Sequence, residues 1–121
     1  MTDDTSAALR AADAELDDPE FRCLVEHETY RCTVSLHGEL DLRVARTLER
    51  RLIALLQLPL QEMVDDLSDL TFIDSTGLTA LVKAQQAAQE ARIEFVVCHA
   101  RERVEWMLSL TGLEPLELHA A

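Results

Sequence analysis

Leu70 to Val82 reads LTFIDSTGLTALV, and its centre holds the residues able to do chemistry: Asp74, Ser75, Thr76 and Gly77. A β-branched apolar run enters this cluster and a leucine-rich helical pattern leaves it. A hydroxyl at such a junction has two uses. It can accept hydrogen bonds from N–H groups of the first helical turn, a cap worth about 1 kcal/mol. It can also stand exposed as the acceptor for a group that another protein transfers. Ser75 carries both readings, and Thr76 is the runner-up acceptor. Asp74 beside it, and Asp41 at a second helix start, either orient that hydroxyl or a partner's magnesium, or merely satisfy backbone donors. Gly77 admits close approach of a partner or a neighbouring loop, or simply a tight helix start.

Other chemistries fit less well. The nucleophile elbow of serine hydrolases needs Gly-x-Ser-x-Gly, and Ile73 occupies the first glycine's place. His27, His37, His99 and His119 show neither ligand spacing nor a spacing that argues for a triad. Cys23, Cys32 and Cys98 are too few and too scattered for a disulfide framework or a zinc site. Each lies in an apolar stretch and reads as a small buried hydrophobe. The chain has no glycine-rich phosphate loop and no Walker lysine. Nucleotide and magnesium for any phosphoryl transfer must therefore come from a partner kinase. No catalytic residue, cofactor or metal of the chain's own is expected.

The elements that position this cluster follow from length and pattern. A chain of 121 residues, 48% of them hydrophobic, suits one domain with one core. No apolar run approaches the roughly 18 residues of a membrane span. The acidic start MTDDTSAALRAADAELDDPE has no apolar signal region, so the expected location is the cytoplasm. A net charge of -12 disfavours direct binding to nucleic acid or to an anionic membrane and suits a protein partner with a basic face. Residues 1–20 read as a mobile acidic extension, with a short helix over 6–16 as the alternative, and 21–121 as the domain.

From Phe21 the pattern has period two. Phe21, Cys23 and Val25, then Cys32, Val34 and Leu36, alternate with more polar residues. A hairpin turning near Glu28-Thr29 would pair 25 with 32, 23 with 34 and 21 with 36, which puts all six on one face. The polar second face of the second strand predicts a sheet covered mainly on one side. Asp41 starts a helix that runs to about Gln57, with Val44, Leu48, Leu52 and Leu55 as its stripe and Pro59 as its stop. A third strand covers Glu62 to Leu67, and Ser68-Asp69 separates it from LTFID. Periodicity leaves open whether Asp65 or Asp66 is buried. A second helix runs from about Thr76 to Glu90, and a fourth strand from Ile93 to Cys98. A third helix spans Arg101 to about Leu110, with Gly112 beyond it, and Glu114 to Leu118 is extended. Trp106 lies off the third helix's stripe, either as a contact residue or packed at the helix edge. The order β-β-α-β-α-β-α predicts a small mixed-sheet α/β domain with parallel crossovers.

With that order in place, three motifs resemble the STAS domain of bacterial anti-sigma factor antagonists. They are GELD at Gly38–Asp41, DLSDLTFIDSTGL at Asp66–Leu78 and LSLTGLEPLEL at Leu108–Leu118. The likeness runs from about Phe21 to Leu118. It implies a single STAS-like domain with helices packed mainly on one face, Ser75 as phosphate acceptor, and Asp41 and Gly77 in the acceptor region. The chain departs from the family's habit at Asp65, where an aliphatic residue is usual, and at Ala91-Arg92, where a glycine often precedes the fourth strand.

The resemblance further implies partner switching. The unphosphorylated protein would bind an anti-sigma factor that is also a serine kinase, and so free a sigma factor for transcription. Phosphate on Ser75 would end binding, and a serine phosphatase would reset it. The alternative is a STAS interaction or scaffold subunit, not phosphorylated, in a lipid transporter or a stress-signalling assembly.

Overall fold

A computed structural model describes residues 18–113. The helix considered over 6–16 and the extended stretch expected at Glu114–Leu118 lie outside them. The elements are β1 (Phe21–Glu28), β2 (Arg31–Leu40), α1 (Leu42–Leu55), β3 (Glu62–Ile73), α2 (Ser75–Glu90), β4 (Glu94–Cys98) and α3 (Glu102–Ser109). Four strands form one sheet in the order β1-β2-β3-β4. The β1–β2 pair is antiparallel, and the β2–β3 and β3–β4 pairs are parallel.

Strand order explains where the helices lie. Both crossovers, through α1 and through α2, step one strand in the same direction. Right-handed connections of that kind put both helices on one face. The core sits there. Leu48 and Leu52 of α1, and Leu81, Ala84 and Ala88 of α2, pack over Val34, Leu36, Met63, Leu67 and Val97. Val104 and Leu108 bring α3 into the same core. On the opposite face Val64, Val96 and Cys98 form a small separate buried group, while Arg22, Leu24 and Glu26 are exposed. The domain is thus the small mixed-sheet α/β fold expected.

Two local expectations are corrected. The hairpin pairs Val25 with Val34, Cys23 with Leu36 and Phe21 with Gly38, around a turn at Thr29-Tyr30. The register is two residues away from the expected one. A two-residue shift preserves side-chain parity, so the expected face survives. Phe21, Cys23, Cys32, Val34 and Leu36 are buried, and Val25 is half-buried against them.

The third strand does not stop at Leu67. β3 runs on to Ile73 with two register shifts against β2, opposite Ser35/His37 and Gly38/Glu39. Each shift gives β3 one extra residue and flips its parity. Met63, Asp65 and Leu67 point into the core, then Leu70, then Ile73. The first irregularity is satisfied locally, because the Ser68 N–H donates to Asp66 Oδ1 at 3.0 Å.

The same strand settles the acidic pair. Asp65 is fully buried between Val34 and Val97 in register, whereas Asp66 is only half-buried. Asp18–Glu20 hold to the domain's edge. The Glu39 N–H donates to the Glu20 carbonyl at 3.0 Å, and Arg43 reaches Asp18 at 3.4 Å.

Candidate functional site

The site is assembled where β2 and β3 end and α1 and α2 begin. The Asp74 N–H donates to the Leu40 carbonyl at 3.2 Å, which ties the strand ends together. Gly77 then lets α2 start against them. A Cβ on Gly77 would stand 2.7 Å from the Leu40 carbonyl oxygen and 2.9 Å from Ile73 Cγ1. The close approach that Gly77 permits is therefore to the chain's own β2 terminus.

Asp74, not Ser75, caps α2. Asp74 has extended backbone (φ -109°), and its Oδ1 accepts from the Gly77 N–H at 2.9 Å and from Thr76 Oγ1 at 2.5 Å. The Thr76 hydroxyl and the Gly77 N–H converge on this carboxylate, so the acid takes the cap position and the serine becomes the first helical residue. Partial burial pushes the Asp74 carboxyl up. The hydrogen bonds from the Thr76 hydroxyl and the Gly77 N–H, with the nearby N–H groups of Thr76 and Leu42, outweigh it and hold the group below the usual carboxylate range.

That arrangement separates the two hydroxyls. Thr76 is half-buried and spends its proton on Asp74. Ser75 is exposed, and among the described residues its hydroxyl has no hydrogen-bond partner; only its carbonyl is engaged, by Thr79 Oγ1 at 2.9 Å. The hydroxyl stands on a ridge between two shallow grooves. One, of about 280 Å³, lies between α1 and α2 and includes Leu42, Arg46 and Lys83. The other lies between α2 and the turn after α3, and includes Val82, Gln86 and Thr111. An exposed, unengaged hydroxyl on a helix start can accept a transferred group, and among the described residues no base is hydrogen-bonded to it.

Asp41 is brought to the neighbouring helix start, but its carboxylate serves its own helix. It accepts from the Arg43 N–H at 3.0 Å and from Arg43 Nε at 3.1 and 3.2 Å. Among the described residues no hydrogen bond joins Asp41 to Ser75. The three thiols are buried. Burial, then the charges of Asp65 and Cys23, pushes Cys32 up to about 12. Burial, then Asp66 and Asp65, raises Cys98 to about 11. Protonated thiols of this kind are inert. Among the described residues no group of three His, Cys, Asp or Glu gathers where a metal could sit, and no helix is long and apolar enough to cross a membrane.

Sequence reasoning named Trp106 as a possible contact residue but missed the exposed Leu42 and Phe72. Leu42 is 74% exposed, Phe72 45% and Trp106 63%. Of the two readings of Trp106, packing at the helix edge fails, because the ring is mostly in water. Phe72 gave no sequence signal, because the second register shift against β2 turns it out of the core and Ile73 in.

Comparison with known proteins adds the family. The family model described as the STAS domain matches residues 23–120. Among solved structures, the unphosphorylated anti-sigma factor antagonist SpoIIAA superposes with a TM-score of 0.72 at 17% identity, covering 83% of this chain and 89% of that one. The phosphorylated Bacillus SpoIIAA gives 0.68 at 14% identity, with 82% and 93% covered. An anti-sigma factor antagonist from Mycobacterium paratuberculosis gives 0.68 at 29% identity, with 87% and 92% covered.

Proposed function

Because the chain belongs to the STAS domain family, we propose that it is an anti-sigma factor antagonist switched by phosphate on Ser75. The unphosphorylated form binds an anti-sigma factor that is also a serine kinase, and a sigma factor is released. The kinase transfers phosphate to Ser75, the complex parts, and a serine phosphatase restores the hydroxyl. The single observation that carries the choice of residue is the contrast between the two hydroxyls. Ser75 is exposed and unengaged, while Thr76 is tied to Asp74.

Charge supplies the mechanism. A phosphoserine carries about -1.5 to -2 charges near neutral pH. The start of α2 favours it by about 0.3–1 kcal/mol in an exposed setting. The Asp74 carboxylate, fixed one residue away, opposes it. Free protein therefore tolerates the phosphate with little change of fold. In a docked complex the same dianion is desolvated or meets like charge, at a cost on the order of several kcal/mol. Each 1.4 kcal/mol is about tenfold in affinity, so a tight complex becomes a negligible one.

The test is intact-mass measurement after incubation with each anti-sigma kinase of the same organism, with ATP and magnesium. Wild type is expected to gain one phosphate, and Ser75→Ala none while still binding the kinase. Ser75→Glu is expected to bind at least tenfold more weakly. A stoichiometric gain by Ser75→Ala would refute the site, and no gain by wild type would refute the switch.

A further inference from the structure

A cleft of about 610 Å³ opens between the end of β3 and α3, next to the acceptor site and separate from the two grooves at Ser75. Its walls are Phe72, Ile73, Val104, Trp106 and Met107, with Glu102 and Arg103 at the mouth. Val104 and Ile73 close its floor from the core, while Phe72 and Trp106 expose their rings. Trp106 is the chain's one tryptophan, and the chain has only five aromatic residues of the Phe, Tyr and Trp types. Leaving two of them in water around one concavity is costly unless something covers them.

Position and charge narrow the occupant. Phe72 precedes Ser75 by three residues, which is at most roughly 10 Å of chain. Anything seated in the cleft therefore has Ser75 within reach. Glu39 is Phe72's register partner on β2, and Glu102 stands on the other side of the cleft. The Glu20 carboxyl beside Glu39 pushes Glu39 above the usual carboxylate range, as expected where negative charge is crowded. Of the nearby cations, Arg101 is already held by the Ser68 carbonyl at 2.9 Å, and Arg43 by Asp41 and Asp18. Arg103 stands exposed on the cleft's own rim and offsets one of the two acids, which leaves the rim with a net negative charge. A second copy of this chain, also at -12, would be repelled.

We propose that this cleft is the docking site for the anti-sigma kinase, which seats an apolar side chain between Phe72 and Trp106 and sets lysine or arginine beside Glu39 and Glu102. The inference rests on the proposed function and deepens it. Docking is placed in the cleft and phosphoryl transfer on the adjacent ridge, so binding and chemistry use different residues. Aromatic anchors, tryptophan among them, are enriched among the few residues that carry most of an interface's affinity.

The experiment uses the full chain in cells that express it natively. A photo-reactive phenylalanine analogue replaces Trp106 in one strain and Thr79, on the Ser75 ridge, in another, and cross-linked peptides are identified by mass spectrometry. The expected result is a cross-link from position 106 to a lysine- or arginine-flanked apolar segment of an ATP-binding anti-sigma kinase. Glu39→Lys with Glu102→Lys is expected to cut its yield at least tenfold. A cross-link to that kinase from position 79 alone overturns the cleft and leaves the proposed function standing. Joining two copies of this chain from position 106 also overturns the cleft. A basic segment of a protein with no kinase domain overturns the kinase as occupant, and with it the proposed function. Capture of nothing from either position overturns both.

Discussion

At the scale of the residue, the site is a division of labour among four neighbours. Asp74 caps, Thr76 supports the cap, Gly77 allows the approach, and Ser75 is left free. The residue types were legible in the sequence, and their assignment was not. Serine and aspartate are both good caps, and spacing alone gives no reason to prefer one. The carboxylate wins through three-dimensional geometry, since the Thr76 hydroxyl and the Gly77 N–H both converge on one of its oxygens. Gly77 provides the sharpest test at this scale. In Gly77→Ala the new methyl meets a backbone oxygen of Leu40 at 2.7 Å, and that atom cannot rotate away. Overpacking of this kind costs about 1–3 kcal/mol. Urea unfolding of Gly77→Ala is expected to show a loss in that range with an unchanged m-value. A loss within error of zero would mean that α2 does not need this approach.

At the scale of the element, the helices were legible because each carries an apolar stripe at helical spacing. The strands were legible in kind but not in detail. Neither Glu28-Thr29 nor Thr29-Tyr30 is a favoured two-residue turn, and both registers bury the same face. β3 hid its length because two register shifts flip its parity, which makes one strand look like two. The end of α2 is a further case. The Ile93 N–H donates to the Ala88 carbonyl at 2.8 Å and the Arg92 N–H to Gln89 at 3.1 Å, the paired bonds of a Schellman motif. Its left-handed position is Arg92, at φ 60°, where glycine is the usual occupant. The departure at Ala91-Arg92 therefore carries a cost. A side chain in that conformation costs about 1–2 kcal/mol, and glycine's extra freedom when unfolded returns part of it. Arg92→Gly is expected to raise stability by about 0.5–1 kcal/mol, read as a higher thermal midpoint. A lower midpoint would show that the arginine side chain stabilises more than its backbone costs.

At the scale of the whole molecule, the sheet's centre holds an acid where the fold calls for an aliphatic residue. Sequence alternation could not say which of Asp65 and Asp66 is buried, because both faces of β3 carry buried apolar residues, Met63 and Leu67 on one and Val64 on the other. Asp65 is fully buried, and neither of its oxygens has a hydrogen-bond partner among the described residues. Burial alone pushes its carboxyl up to about 8 from an ordinary 3.8. The consequence is global, since the folded chain keeps a proton that the unfolded chain loses. Below about pH 4 both forms are protonated, and above about pH 8 both are ionised. Between those limits stability falls as pH rises, by up to about 1.4 kcal/mol per pH unit from this residue. Asp74 acts in the opposite sense, because its lowered value makes its contribution fade only as pH falls into the acid range. Asp65→Val removes the ionisation and supplies the β-branched apolar side chain that Val34 and Val97 flank. Its stability advantage over wild type is expected to be small near pH 4, to widen steadily towards pH 8, and then to level off, as measured by urea unfolding at each pH. Two curves that stay parallel across that window would mean that Asp65 finds a partner when ionised, and that the core tolerates its charge.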